Sequence, residues 1–289
     1  MKIARRLLAQ KAAQQQATKK RKATTPCFLT KDFSPQTMAE FTSSTTYHSQ
    51  IACGLTHSLV CTDSGKIVSF GGGSKGQLGQ YDKLDNSGLP KIMDANQCKN
   101  DEKGDRMVSA SSPPMIQVAA GEYHTAALRK DGFVYTWGSN SNGRLGHGED
   151  HEEAKSHNKN SAPRVIRSLR DTPIVQVSCG ADFTLVVDNS GSVYSWGLGN
   201  YGNLGHGDTQ DHYTPKPIYR LKSEVIRMVA GGAKHSLAVS QSGDVWAFGH
   251  GDNGRLGNNA TQGSLVPERA KGKVTTENCI LFIILFPIQ

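Results

Sequence analysis

None of the six cysteines in the 289-residue chain (Cys27, Cys53, Cys61, Cys98, Cys179 and Cys279) stands at C-x-x-C spacing to another. No secretory signal is apparent, so they read as free thiols of a reducing compartment, and a zinc site is unsupported. "HGEDH" (His147 to His151), on a polar loop with His157, Glu152 and Glu153, places Glu149 one position too late for H-E-x-x-H. "GGGSKGQLG" lacks the G-K-[ST] ending whose lysine and hydroxyl reach phosphate and magnesium. No nucleophile elbow and no Ser/His/Asp set is visible. The expectation is therefore no catalytic residue, no metal and no cofactor. Hydrophobic residues reach only 36%, low for a compact α/β enzyme. The apolar run Cys279 to Phe286 is far shorter than the about 20 residues a membrane-crossing helix needs, so no membrane partner is expected.

The charge is lopsided. Residues 1–31 hold nine of the 33 Lys/Arg residues and no acid, which leaves 24 bases against 25 acids in the rest. The net charge of +8 belongs to an arm, and the near-neutral body argues against a basic nucleic-acid groove. Residues 1–50 have no sustained apolar period, and "AQKAAQQQATKKRKATT" cannot bury enough surface to offset its ordering entropy. This arm is expected to be mostly disordered. Arg5 and Arg6, a twelve-residue spacer, then Lys19, Lys20, Arg21 and Lys22 match a two-cluster nuclear-import signal. A plain solvated tail, a mitochondrial presequence and phosphate contact with nucleic acid are the other readings of the same residues.

Glycine is abundant, at 31 residues, and it clusters. Each glycine inside a helix costs about 1 kcal/mol against alanine, so this composition favours strands joined by turns. The clustering is periodic. Four segments align without a gap: "CGLTHSLVCTDSGKIVSFGGGSKGQLG" from Cys53, "AGEYHTAALRKDGFVYTWGSNSNGRLG" from Ala120, "CGADFTLVVDNSGSVYSWGLGNYGNLG" from Cys179 and "GGAKHSLAVSQSGDVWAFGHGDNGRLG" from Gly231. The leading glycines are Gly54, Gly121, Gly180 and Gly232; eleven residues on stand Gly65, Gly132, Gly191 and Gly243. Sixteen on come the aromatics Phe70, Trp137, Trp196 and Phe248. Two further glycines close each unit: Gly76 and Gly79, Gly143 and Gly146, Gly202 and Gly205, Gly254 and Gly257, each pair with a leucine before its second member.

Each unit reads as four short strands. "HTAALRKDGFVYTWG" is two strand-like runs around a turn whose glycine needs a positive φ. "MIQVAA" before it and the segment around "PRVI" after it supply the outer pair. Four-stranded sheets repeating at this period are β-propeller blades. The expected fold is all-β: an incomplete propeller of four antiparallel blades at about 51–114, 115–173, 174–225 and 226–273, behind the basic arm of residues 1–50. The aromatic is expected to pack between blades. The residue before each leading glycine (Cys53, Ala120, Cys179, Gly231) is expected in a crowded slot, which gives both cysteines a structural role. His57, His124 and His235 share a position with Phe183, so they too read as packing groups.

"GEYHTAALRKDGFVYTWGSNSNGRLGHG" closely resembles one repeat of the regulator of chromosome condensation family, and the resemblance covers roughly residues 51–270. It implies a seven-bladed propeller and functions that include nucleotide exchange on the small GTPase Ran with chromatin binding, ultraviolet-B sensing and protein interaction. The chain departs from the family in having four repeats, which would leave an open arc. Where the photoreceptor members carry Gly-Trp-Arg-His-Thr, the variable positions here are Leu55-Thr56, Glu122-Tyr123, Ala181-Asp182 and Ala233-Lys234, which disfavours light sensing. Residues 274–289, ending "CILFIILFPIQ", break the pattern and read as the mark of a truncated isoform or incomplete gene model; self-association that completes the ring is the rival reading.

The resulting expectation is a scaffolding or regulatory protein-interaction module, of the nucleus or cytoplasm, with the mitochondrion as the alternative. Its runner-up is guanine-nucleotide exchange on a Ran-like GTPase, with chromatin association through the arm. Asn142, Arg144, Asn253 and Arg255, in matching glycine loops, are the candidate exposed partner contacts; solvated loop residues are the plainer alternative. The polar insertions at 93–114 and 149–160 are candidate partner surfaces as well.

Overall fold

In a computed structural model of the chain, the described residues are 50–80, 85–93, 113–148, 160–259 and 261–273, and all lie in the unit His48–Gln289. They form sixteen strands in four sheets. The first blade holds β1 (Gln50–Cys53), β2 (His57–Cys61), β3 (Ile67–Gly71) and β4 (Ser87–Ile92), paired in that order. The second holds β5 (Met115–Ala120), β6 (His124–Arg129), β7 (Val134–Gly138) and β8 (Arg164–Val165). The third holds β9 (Ile174–Cys179), β10 (Phe183–Asp188), β11 (Val193–Gly197) and β12 (His212–Pro217), and the fourth β13 (Ile226–Gly231), β14 (His235–Ser240), β15 (Asp244–Gly249) and β16 (Ser264–Lys273). All pairings are antiparallel, and no α-helix occurs among the described residues. The all-β, bladed reading of the sequence holds.

The turn glycines act as their spacing predicts. Gly65, Gly132, Gly191 and Gly243 carry φ of 72°, 90°, 85° and 82°, a region that a residue with a Cβ enters only under strain. Consecutive blades pack through their inner strands: β1 and β2 against β5, β5 and β6 against β9, β9 and β10 against β13. The core is therefore a series of inter-blade layers. Leu59, Cys61 and Ile67 of the first blade meet Val118, Ala127, Tyr135 and Trp137 of the second. Ala126, Leu128 and Val134 meet Val177, Val186 and Trp196, and then Leu185, Val187 and Val193 meet Val229, Ala238 and Phe248.

The two ends of the series differ from its middle. Trp137, Trp196 and Phe248 are fully buried against the blade before them, whereas Phe70, in the first blade, is only half-buried. Strand β10 is buried at every position; in β14 the residues His235, Leu237 and Val239, which match Phe183, Leu185 and Val187, are half-buried. One expectation needs correction for this reason. Cys179 is buried and Gly231 is crowded by the backbone of Cys179 and Gly180, but Cys53 is exposed. The slot before each leading glycine is closed by the preceding blade, and among the described residues none precedes the first.

Candidate protein-interaction rim

At one end of the blades lie the turns between first and second strands and the glycine loops between third and fourth. The loop glycines that spell G-x-G-x-x-G serve that crossing. A Cβ on Gly73, Gly199 or Gly251 would run into the carbonyl of Asp85, Gln210 or Gln262, where the chain returns to its outer strand. The second blade has Asn140 at this place, and its amide oxygen accepts the N–H of Leu145 at 3.1 Å. Neither arrangement opens the helix N-terminus that a pyrophosphate site requires.

The loops also lock each blade to the next through one repeated device. The Nε2 of His57 lies 3.0 Å from the hydroxyl of Thr125, which donates to the Gln77 carbonyl at 3.0 Å. One blade on, His124 Nε2 lies 3.0 Å from the hydroxyl of Thr184, which donates to the Arg144 carbonyl at 3.0 Å. The Trp137 and Trp196 indoles donate to the same two carbonyls at 3.0 Å each. At the third junction the histidine is Phe183, and Ser236 donates to Asn203 at 2.7 Å without it. A second hydroxyl series, Ser69, Thr136 and Ser195, donates to the carbonyls of Leu78, Leu145 and Leu204 at 2.7 Å. Sequence reasoning missed both series. The alignment nevertheless carried them, as columns reading Ser58, Thr125, Thr184, Ser236 and Ser69, Thr136, Ser195, Ala247.

Burial pushes the His57 imidazole down to about 4 and holds His124 well below the usual range, where burial is joined by the charge of Arg144. Both are neutral at pH 7 and act as packing and hydrogen-bonding groups. His147 sits at 3.1 Å from Thr136, not out on the polar loop, while His151 and His157 lie outside the described residues. Burial lifts the Cys61 thiol to about 11, with Asp63 adding to it, and the Cys179 thiol to about 12, which makes both inert.

These histidines set a pH dependence. Their folded values lie below the ordinary 6.5, so the stability they contribute is complete above pH 6.5 and is lost as pH falls below it, for His57 as pH approaches about 4. In that window the unfolded chain binds protons that the folded chain refuses, at up to about 1.4 kcal/mol per pH unit per histidine. The H57F variant, which adopts the residue type of Phe183, is expected to fold and to show a shallower fall of melting temperature between pH 6.5 and 4. A slope equal to the wild type would contradict this.

The four candidate contact residues separate. Arg144 is 5% exposed rather than solvent-facing. Its guanidinium pairs with Asp182 of the third blade at 2.5 Å, and its Nε donates to Ser141 at 2.9 Å. Asn142, half-buried at φ 59°, donates to Asp211 of the same neighbouring blade at 2.7 Å. Both are drawn in because a third blade is there to receive them. Asn253 is exposed, and Arg255 is half-buried with its Nε on Asp252. The import-signal residues Arg5, Arg6, Lys19, Lys20, Arg21 and Lys22 lie outside the described residues, as do 94–112 and 149–159 of the two insertions.

Around Arg255 the rim is mixed in character. Lys234 stands 4.6 Å from the Tyr201 ring centre, His250 meets that ring edge-on at 5.4 Å, and Asp252 lies 3.6 Å from His250. At the first junction the same rim holds an open hollow lined by Thr56, Gly72, Ser74, Asn86 and Tyr123. No cluster of three or more metal-ligating side chains occurs among the described residues.

Serial four-stranded blades locked by recurring glycines, aromatics and hydroxyls define a β-propeller repeat protein. The RCC1-like domain model matches residues 16–282, and the chain belongs to that family. It is 32% identical over 224 residues to the probable E3 ubiquitin-protein ligase HERC4 of Homo sapiens, covering 77% of this chain and 19% of that protein. It is 40% identical over 163 residues to the ultraviolet-B receptor UVR8 of Arabidopsis thaliana, covering 56% of this chain and 36% of the receptor. Among solved structures, Prp20p of Saccharomyces cerevisiae, described with its binding properties to Gsp1p and histones, aligns at 20% identity and a TM-score of 0.53 over 77% of this chain and 65% of its own. That likeness is one of fold. The chain spans about a fifth of HERC4 and about a third of UVR8.

Proposed function

We propose that this chain is a protein-interaction module with a scaffolding or regulatory role, and that it binds partners with the rim. One observation carries the reading: the recurring residues are engaged in blade-to-blade contacts, whereas Tyr201, Lys234, His250 and Asp252 present aromatic and charged groups, and Asn253 an exposed amide, at the loop end. Tyrosine and charged residues on a rigid, partly apolar platform suit a protein interface. Neither the ligase chemistry of HERC4 nor the light sensing of UVR8 extends to this chain on these grounds. The first rests on a fifth of the relative; for the second, no tryptophan stands at the variable rim positions.

The test is quantitative capture from cell extract by the full chain and by two sets of variants. Reversing rim charge with K234E and D252K, together with Y201A, is expected to lower recovery of specific partners about tenfold or more, the scale of losing one interface hot spot. Substituting the exposed hairpin residues Ser64 and Gln241 at the opposite end is expected to leave recovery unchanged. Partners insensitive to the rim set would sink the reading.

A second reading is favoured by the likeness to Prp20p and by the acid-free basic arm. It is nucleotide exchange on a Ran-like small GTPase, with nuclear import and chromatin contact through the arm. Such exchange works by displacement, with the rim stabilising the empty GTPase. Release of labelled nucleotide from a panel of small GTPases separates the two. Acceleration for one member would establish exchange; no acceleration for any would remove it and leave the binding reading standing.

A further inference from the structure

The trailing side of the fourth blade and the leading side of the first are two halves of one junction. The pairing registers set each face. Ile51, Ser58, Val60, Val68, Phe70 and Ile92 share the leading face of the first blade. Ile51 is 76% exposed and Ile92 59%, whereas the counterparts Val118 and Val177 of Ile51 and Val165 of Ile92 are buried, and Pro217, the third-blade counterpart of Ile92, is half-buried. On the fourth blade, His235, Leu237, Val239 and Val245 share the trailing face and are half-buried.

The polar parts match as well. The Nδ1 atoms of His57, His124 and His235 are alike buried and unpaired, but Nε2 finds a hydroxyl from the next blade only in the first two. His235 has none among the described residues, and neither does Ser58, which holds the hydroxyl position of the series. Gly79, Gly146 and Gly205 each leave room for the next blade's aromatic, whose ring would stand 2.7–2.9 Å from an added Cβ. A Cβ on Gly257 would meet only Ala270, at 3.5 Å, and Phe70 lacks such a seat. The N–H groups of Gly148 and Gly207 donate at 2.9 Å to Tyr213 and Leu265 on the next outer strand. Asn259 and Gly88 hold the matching positions, and around Gly88 an added Cβ would meet nothing within 4 Å. Asn142 reaches Asp211; the residues at the matching positions of the fourth and first blades are Asn253 and Asn86.

We infer that this chain associates head to tail with a second copy, the fourth blade of one receiving the first blade of the other in the geometry of the three internal junctions. Ser58 of the incoming copy would bridge His235 and the Arg255 carbonyl, and Phe70 would lie over Gly257. The contact is heterologous, so the assembly is a ring where the rotation closes and an open chain where it does not.

The test is the solution mass of the full chain with increasing concentration, for wild type and two single-face variants. The wild type is expected to rise to at least twice the monomer mass. L237E blocks the trailing face and V60E the leading face, so each alone is expected to stay monomeric. Mixed in equal amounts, they still hold one open face of each kind and are expected to form a 1:1 dimer and nothing larger. The heterodimer also shows that both variants are folded; unmixed circular dichroism matching wild type checks the same point. A wild type monomeric at its highest soluble concentration, single variants that still assemble, or a mixture that stays monomeric would each overturn the inference.

Discussion

Replacing Trp196 with alanine is expected to destabilise the chain by roughly 3–5 kcal/mol, the range for truncating a fully buried tryptophan. The ring lies wholly inside the layer between second and third blades. Its N–H donates to the Arg144 carbonyl at 3.0 Å, and its edge lies against Gly146, 2.7 Å from where a Cβ would be. The side chain cannot be replaced by relaxation of the neighbours, because both flanking sheets are held by their own ladders. Domains are stable by about 5–15 kcal/mol, so this loss is a large part of the total. Phe70 occupies the same repeat position with one face uncovered, and F70A is expected to cost much less. Urea unfolding of the two variants side by side measures the contrast. Equal losses would mean that position in the repeat, and not a neighbouring blade, sets the cost.

The second large effect is expected from Asp182. D182A removes the carboxylate facing a guanidinium that is almost fully buried, and burial already disfavours the charge on Arg144. Breaking a buried pair from one side costs about 3–5 kcal/mol, because the remaining charge is left uncompensated. Asp182 is itself 26% exposed, so water reaches part of the site and the low end, about 3 kcal/mol, is expected. Removing both partners with R144A/D182A is expected to cost less than the two single losses together. R255A is expected within about 0.5 kcal/mol of wild type, as for surface substitutions away from such features. A thermal or urea series over these four variants checks all three statements. A costly R255A with a harmless D182A would reverse the assignment of roles.

That pair also shows where sequence reading stops. "GRLG" stands at both 143–146 and 254–257, and nothing within the tetrapeptide distinguishes the arginines. The difference is supplied by Asp182, 38 positions along the chain from Arg144, on a blade that only the fold brings near. Glycines and aromatics were legible because each answers a local demand. A positive φ or a crossing backbone admits little else, and an aromatic at fixed spacing must be covered by something. The bladed architecture followed from those demands alone. The hydroxyl columns were harder to see, since serine and threonine in a strand have many uses and only their recurrence marks a shared one. Cys53 was misplaced for the converse reason. Its slot was inferred from the other repeats, and the first blade lacks the neighbour that makes the slot.

Each blade is stabilised by the blades beside it, and the recurring residues serve the junctions between them. Stability of such a series is a sum of unit and nearest-neighbour terms, and its ends open first. Amide hydrogen exchange at a concentration where the chain is monomeric tests this most directly. Strands β6 and β10, covered on both sides, are expected to exchange slowest, with β2 and β14 markedly faster although their hydrogen-bond ladders are as complete. Amides of β2 and β14 as protected as those of β6 and β10 would contradict it.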